Sequence, residues 1–196
     1  MKRTPRAVIF DLDGTLTEPL LDFDAMRAEI GLPPGPILEQ LAHADAATQA
    51  RADAILRRHE REAIARATLA DGCAELLAHL SAREIPAAIL TRNVREVVDT
   101  FTRTFGFSFA GVYTREDGPH KPSPAGVLVL CAKMGVAPAE TLVVGDYKFD
   151  ILAGRAAGCR TALVLSTHRP TPEELPEWGP PDLVVESLRE LLPCFD

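Results

Sequence analysis

The stretch Val8–Thr17, which reads VIFDLDGTLT, is the best guide to the fold of this chain. It begins with three apolar residues, continues with two acids on either side of one leucine, and ends in Gly-Thr-Leu-Thr. A short apolar run that a glycine ends is typical of a buried strand in a parallel sheet. Ligands bind such sheets beyond the carboxyl ends of the strands. The sequence therefore predicts that Asp11 and Asp13 stand at a strand end, beside a ligand site.

The spacing of these two acids indicates a particular chemistry. Side chains alternate along a strand, so Asp11 and Asp13 are expected on the same side. Two carboxylates that close together repel each other unless a cation or a shared proton joins them. A hard metal ion, most simply Mg2+, fits such a pair, and one carboxylate could act as a nucleophile. A turn with helix-capping acids is the ordinary alternative for Asp-x-Asp alone.

Composition sets the class of protein. The chain has 196 residues, which is enough for one core domain and a modest insertion. Hydrophobic residues make up 46% and charged residues 25%, as in ordinary globular proteins. The net charge of −7 argues against a nucleic-acid partner, because such proteins usually carry a basic face. Arginines do cluster in 51–66, but glutamates interrupt them, which is typical of a solvated helix face.

Apolar runs, the N-terminal segment and the cysteines indicate the cellular compartment and the kind of partner. No apolar run is long enough to span a bilayer, and the basic residues 1–6 precede too few apolar residues for a secretory signal. The spacing of the four cysteines does not suit metal ligation, so free thiols in a reducing cytoplasm are expected. We therefore expect a cytoplasmic protein with no membrane partner, either a monomer or a homodimer. The cysteines are Cys73, Cys131, Cys159 and Cys194.

The segment 18–69 has only helical patterns. Asp22 or Asp24 can cap a first helix, and Asp45 can cap a long one rich in alanine, arginine and glutamate. The long helix has few apolar positions, so it is expected to pack through a narrow stripe. We interpret 18–69 as a small all-helical cap inserted after the first strand. Its polar residues are candidates for substrate contacts, namely Glu18, Arg27, His43 and Arg58.

From residue 70 onward, apolar runs alternate with helical patterns. This alternation predicts an α/β fold, a Rossmann-like parallel sheet with helices on both faces, formed by 1–17 and 70–196. The proline-rich segment 169–181 is predicted to be a loop. Asn93 is predicted to cap a helix that Gly106 ends, and Gly135 is predicted to end the next helix. The predicted strands after the first are 86–91, 109–113, 141–146, 161–165 and, at an edge, 182–185.

Polar residues follow several of these predicted strands. Thr91 ends the second strand, and its hydroxyl with nearby N–H groups could hold a phosphate oxygen. Lys121 precedes a proline-initiated helix and could neutralise a nucleophile and a phosphoryl group. Asp146 follows the fourth strand and could share a cation with Asp11, and Asp150 lies one helical turn later. Each has an ordinary explanation alone: a strand end, a surface lysine, a helix cap.

Together, the polar residues at these strand ends and Lys121 resemble the four sequence motifs of the haloacid dehalogenase-like (HAD) hydrolase superfamily, and they occur in the same order. The resemblance covers nearly the whole chain, and it is closest to the phosphatases with a small helical cap, such as phosphoglycolate phosphatases. It implies a Rossmann-like core with a helical cap after the first strand. The matched motifs are Asp11-x-Asp13-Gly14-Thr15, Thr91, Lys121 and Gly145-Asp146-x-x-x-Asp150.

The resemblance also implies roles for the matched residues. Asp11 would attack phosphorus to form an aspartyl-phosphate, and Asp13 would act as acid and then base. Mg2+ would be bound by Asp11, the backbone carbonyl of Asp13, and Asp146, with Asp150 in the outer shell. The phosphoryl oxygens of a small phosphorylated substrate would be bound by Thr91, Lys121 and the backbone near Arg92 and Asn93.

Three alternatives remain open from the sequence. A sugar-phosphate mutase or other phosphotransferase of the same fold would pass the phosphoryl group to a second substrate. A 2-haloacid dehalogenase would attack carbon without a metal, but such enzymes lack an acid at the position of Asp13. A binding module with a vestigial site is the third, and the presence of all matched residues argues against it.

Overall fold

The computed structural model describes residues 4–166, 169–171 and 174–196. Residues 1–3 of the basic N-terminal segment, and 172–173 of the predicted loop, lie outside this description. The chain divides into two compact units, Met1–Pro19 with Thr68–Asp196 and the intervening Leu20–Ala67.

The larger unit is organised on one parallel sheet of six strands in the order β3-β2-β1-β4-β5-β6. All four residues of β1 are fully buried although alternate ones point to opposite faces, so both faces of the sheet are covered. This confirms the predicted α/β class and the covered first strand. The strands are β1 Ala7–Phe10, β2 Ala87–Leu90, β3 Gly111–Tyr113, β4 Thr141–Gly145, β5 Arg160–Val164 and β6 Leu183–Val185.

Helices connect these strands. Two of them end at a glycine in the left-handed conformation, Gly106 and Gly135, as the sequence predicts. The structure also places a short helix, Leu175–Trp178, inside the segment predicted to be a loop, so that prediction was wrong there. The larger unit also contains two 3-10 helices, Pro138–Glu140 and Leu188–Phe195. In our numbering the helices of this unit are α4 Cys73–Ala82, α5 Arg95–Phe105, α6 Ala125–Met134, α7 Lys148–Ala156 and α8 Leu175–Trp178.

The smaller unit, Leu20–Ala67, is described throughout and consists of helices alone. Asp22 and Asp45 cap the first and third of them, each through Oδ1, which accepts a hydrogen bond of 2.9 Å from a backbone N–H. The helices are α1 Phe23–Ile30, α2 Ile37–Leu41 and α3 Ala46–Ile64. They bury a separate apolar cluster of Met26, Ile30, Ile37, Leu41, Ala52 and Leu56.

The boundary between the units lies two residues inside the predicted segment 18–69. The N–H of Glu18 donates a 3.0 Å hydrogen bond to the carbonyl of Thr68, and Thr17 pairs with Leu69 in an antiparallel bridge. These bonds join the two chain segments that lead into and out of the smaller unit. Residues 18, 19, 68 and 69 therefore belong to the larger unit.

The expectations about membrane-spanning helices and free cysteines concern features that the structure describes. In the described part of the chain, no helix combines the length and apolar character that crossing a bilayer demands. All four cysteines are free thiols, and three of them are buried.

Candidate active site

The site is assembled at the carboxyl edge of the parallel sheet. Phe10, the last residue of β1, is in register with Ile89 of β2 and Val144 of β4. Asp11 is therefore level with the ends of both neighbouring strands, where Thr91 and Asp146 follow. The topology brings these three polar residues to one edge because β1 lies between β2 and β4. The sequence separates them by up to 135 positions, and the sheet alone brings them together.

Lys121 connects two of the acids. Its Nζ lies 2.7 Å from Oδ1 of Asp11 and 2.5 Å from Oδ1 of Asp150, and the side chain is only 3% exposed. Burial lowers the pKa of the Lys121 ammonium, but the charges of the two carboxylates outweigh it, so this pKa is raised above its ordinary value. The positive charge of the lysine therefore offsets the charges of the acids.

Asp150 lies in the first turn of α7 and is fully buried. Its Oδ2 accepts a 3.2 Å hydrogen bond from the N–H of Tyr147, while Oδ1 accepts one from Lys121. Burial raises the pKa of Asp150, the ion pair with Lys121 lowers it, and the charge of Asp11 raises it, with a net rise. Gly145 is required beside it, because a Cβ at that position would overlap the Asp150 carboxyl group. Both oxygens of Asp150 thus have protein partners, so its role in the structure is to hold Lys121.

Three carboxylates converge next to this lysine. Asp11, Asp146 and Asp150 each offer one oxygen, and these oxygens all lie within 4.8 Å of one another. Such a set of hard oxygen donors fits a divalent cation such as Mg2+, which would remove their mutual repulsion. Asp146 is buried, and the absence of a Cβ at Gly14 leaves the space that its carboxylate occupies. The residues present therefore fit the predicted metal and include its two predicted carboxylate ligands, Asp11 and Asp146.

Asp13 is held differently from these three. It is half-buried and forms a parallel bridge with Thr17, whose hydroxyl donates a 3.3 Å hydrogen bond to the carbonyl of Leu12. Among the described residues, its carboxylate is not part of the three-acid group. This is compatible with the predicted use of its backbone carbonyl, rather than its carboxylate, as a metal ligand.

The loop after β2 orients Thr91. The buried Thr91 Oγ1 accepts a 3.1 Å hydrogen bond from the N–H of Asn93, so the hydroxyl proton is available to donate to a phosphate oxygen. Asn93 was expected to cap the next helix, but Val94 occupies that position and Asn93 is buried. The carbonyl of Arg92 accepts a 3.2 Å hydrogen bond from Nη1 of Arg115, which fixes the same loop.

Sequence reasoning missed Ser166. This residue follows β5, so the strand-end argument used for Thr91 and Asp146 would also have found it. Its Oγ donates to the carbonyl of Gly14 and lies 3.5 Å from Oδ2 of Asp146. Ser166 therefore connects the loop after β1 to one of the three carboxylates.

Two polar residues named for the helical segment have partners inside the smaller unit. Arg58 pairs with Glu29 at 2.5 Å, and Arg27 pairs with Asp24. His59 also contacts Glu29, at 2.9 Å. The contacts of Arg58 and His59 with Glu29 join α3 to α1, whereas the Arg27–Asp24 pair lies within α1. The sequence did not indicate these structural uses.

The sequence is similar to proteins of one known family. A family model described as haloacid dehalogenase-like hydrolase matches residues 8–164. The chain is 35% identical to a haloacid dehalogenase-like hydrolase domain-containing protein of Arabidopsis thaliana, covering 95% of this chain and 82% of the relative. It is 30% identical to phosphoglycolate phosphatase 1 of Pseudomonas aeruginosa, covering 99% and 81%. It is 31% identical to an N-acetylmuramic acid 6-phosphate phosphatase of Pseudomonas putida, covering 97% and 96%.

Solved structures agree on the fold. A hydrolase from Pseudomonas syringae superposes with a TM-score of 0.82 at 23% identity, over 95% of this chain and 96% of that one. The match covers both units of the chain and therefore supports the architecture described above.

Proposed function

Because this chain belongs to the haloacid dehalogenase-like hydrolase family, we propose that it is a Mg2+-dependent phosphatase that hydrolyses a small phosphorylated metabolite. The observation that carries this proposal is the Lys121 ammonium between Asp11 and Asp150, beside three carboxylates whose oxygens lie within 4.8 Å. Relatives named as phosphatases of phosphoglycolate and of N-acetylmuramic acid 6-phosphate support phosphate esters of carboxylic acids or sugars as substrates.

In this proposal Asp11 is the nucleophile. Its carboxylate oxygen forms a bond to phosphorus while the bond from phosphorus to the ester oxygen breaks, which produces an aspartyl-phosphate. The ion pair with Lys121 orients the carboxylate. It also reduces the repulsion between the anionic nucleophile and the anionic ester.

Asp13 is the proposed acid and base. Its carboxyl group gives a proton to the departing ester oxygen and then takes a proton from the water that attacks the aspartyl-phosphate. The attack of water restores the Asp11 carboxylate and releases inorganic phosphate. Asp13 lies two residues from the nucleophile and outside the three-acid group, as this role requires.

The phosphoryl oxygens are proposed to be bound by Thr91 and Lys121. The Thr91 hydroxyl has its acceptor side occupied by the Asn93 N–H, so it donates outward. Backbone groups near Arg92 complete this binding, because the loop is fixed by Arg115. When bound, Mg2+ would be held by Asp11, the carbonyl of Asp13 and Asp146, and it would supply charge neutralisation for the transferred group.

The proposal also includes the smaller unit, the compartment, the oligomeric state and the role of Asp150. The smaller unit is assigned as a cap that selects the substrate, and the protein is placed in the cytoplasm as a monomer or a homodimer. Asp150 is assigned to the outer shell, because both of its oxygens already accept hydrogen bonds from Lys121 and Tyr147.

The experiment that tests the function is a screen of phosphorylated metabolites with Mg2+, measuring released phosphate. We expect turnover of at least one small ester that is abolished by a chelator and restored by added Mg2+. Activity that a chelator does not change would contradict the metal assignment. Formation of an isomer or phosphorylated acceptor instead of free phosphate would identify a transferase.

A further inference from the structure

Four side chains beside the site form an aromatic-cation cluster, made of Arg92, Tyr147, Lys148 and Phe149. The guanidinium carbon of Arg92 lies 4.3 Å from the centre of the Phe149 ring. The Lys148 ammonium lies 6.0 Å from the same ring and 5.8 Å from the ring of Tyr147. Two cations from different parts of the chain thus lie near one phenylalanine ring.

The cluster belongs to the same edge of the sheet as the proposed nucleophile. Arg92 is the residue after Thr91, at the end of β2. Lys148 and Phe149 lie between Asp146, which follows β4, and Asp150, which holds Lys121. The backbone segments that form the site therefore also carry the two cations.

The position of Lys148 is electrostatically unfavourable in the free protein. It is the first residue of α7, where the positive end of the helix dipole disfavours a cation. Within the described ranges, no carboxylate lies at ion-pair distance from its ammonium, and the nearby Asp150 is engaged by Lys121. A bound anion would relieve this excess of positive charge.

The aromatic rings hold this arrangement in place. Tyr147 packs edge-on against Phe149, with ring centres 5.2 Å apart, and against Trp178, with centres 5.3 Å apart. Trp178 is 2% exposed, so the cluster is anchored in the apolar core of the larger unit. A cation on an ordered ring loses less conformational freedom on binding than one on a free surface chain.

We propose that Arg92 and Lys148 form a subsite for a second acidic group of the substrate. The reacting phosphoryl group would bind at Asp11, and a carboxylate or a second phosphate at the other end of the molecule would bind to the two cations. The inference rests on the proposed phosphatase function and specifies its substrates as phosphate monoesters with two anionic ends. Lys148 is then a specificity-determining residue of this chain.

The experiment compares esters that differ only at the far end. We would measure kcat/KM of the full-length protein with Mg2+ for phosphoglycolate against 2-hydroxyethyl phosphate, and for 1,3-propanediol bisphosphate against 3-hydroxypropyl phosphate. We expect the wild type to prefer the doubly anionic member of at least one pair by about tenfold, or about 1.4 kcal/mol. The pair with the larger preference distinguishes a carboxylate from a phosphate as the second group.

The variants are Lys148→Met and Arg92→Met, with the exposed Lys133→Met on α6 as the matched loss of one positive charge. Each of the first two should reduce the preference, mainly through KM, and Lys148→Glu should reduce it further. Lys133→Met should keep it. Equal kcat/KM within both pairs for the wild type, or a preference that Lys148→Met leaves unchanged, would overturn the inference.

The two esters with a neutral hydroxyl at the far end distinguish failure of this inference from failure of the proposed phosphatase function. Phosphate released from 2-hydroxyethyl phosphate or 3-hydroxypropyl phosphate without any preference for the acidic partners would support the phosphatase and reject the subsite. No phosphate released from any ester in the metabolite screen would reject the function itself.

Discussion

Lys121 Nζ lies 2.5 Å from Oδ1 of Asp150, and both side chains are 3% exposed, 29 residues apart in the sequence. The same ammonium contacts Asp11 at 2.7 Å. One buried cation thus determines where the proposed nucleophile is held, and the stability of this part of the core is coupled to the geometry of the site.

Removal of one member of the buried pair should cost much more stability than removal of both. Lys121→Met leaves Asp150 buried and uncompensated, and we expect it to lower the free energy of unfolding by about 3 to 5 kcal/mol. Lys121→Met combined with Asp150→Asn should recover part of this loss while activity stays absent. Chemical denaturation of the wild type, Lys121→Met, Asp150→Asn and the double variant measures the effect. A double variant as destabilised as the two single changes added together would mean that the residues do not interact.

Asp11→Asn should abolish turnover while the fold is kept. The amide preserves the size of the side chain but cannot attack phosphorus, so we expect kcat to fall by about 10³-fold or more. Phosphate release is the measurement, with mass spectrometry to exclude deamidation back to aspartate. Near-normal activity of a verified asparagine variant would show that the nucleophile is another residue.

Mg2+ should stabilise the wild type by binding to Asp11 and Asp146 of the three-acid group. At a concentration one hundred times the Kd, the gain in free energy of unfolding is about 2.7 kcal/mol, which appears as a higher Tm. Asp146→Asn should lose this response and have a higher Tm than the wild type in chelator, because one of three mutually repelling charges is gone. Asp99→Asn, an exposed aspartate on α5, is the control with the same change of charge. A normal Mg2+ response in Asp146→Asn would place the metal elsewhere.

Ser166→Ala should weaken metal binding without abolishing it. The hydroxyl connects the carbonyl of Gly14 with Oδ2 of Asp146, and loss of such a supporting group typically lowers metal affinity about 10- to 100-fold. Calorimetric titration with Mg2+ or Mn2+ reports the metal affinity independently of turnover. Ser81→Ala on α4 should leave the affinity unchanged. An unchanged affinity in Ser166→Ala would limit this serine to a packing role.

Asp117 should contribute stability that depends on pH. Burial raises its pKa, but hydrogen bonds from Thr114 and the charge of Arg95 outweigh this and hold the pKa below its ordinary value of 3.8. A lowered pKa in the folded state gives stabilisation that is complete above about pH 5 and is lost as pH falls through the folded pKa. The difference in unfolding free energy between the wild type and Asp117→Asn should therefore shrink below about pH 4. A difference that stays constant down to pH 2 would contradict the assignment.

Much of the fold was predictable because its signals are local. The apolar run before Asp11 predicted a strand covered on both faces, and all four residues of β1 are buried. Glycines predicted the ends of α5 and α6, since only glycine adopts the left-handed conformation at no cost. The short helix α8 was missed because prolines dominate its segment, and the cap of α5 was misassigned because Val94, not Asn93, occupies the N-cap position.

The sequence by itself determined the order of the strands along the chain and the residue types at their ends, since both depend on neighbours a few positions apart. Only the tertiary structure decided that Lys121 contacts both Asp11 and Asp150, that Ser166 reaches Asp146, and that Arg92 and Lys148 share the ring of Phe149. The physical reason is that these contacts depend on strand order and register. Both are set by packing of the whole sheet, and no short segment encodes them.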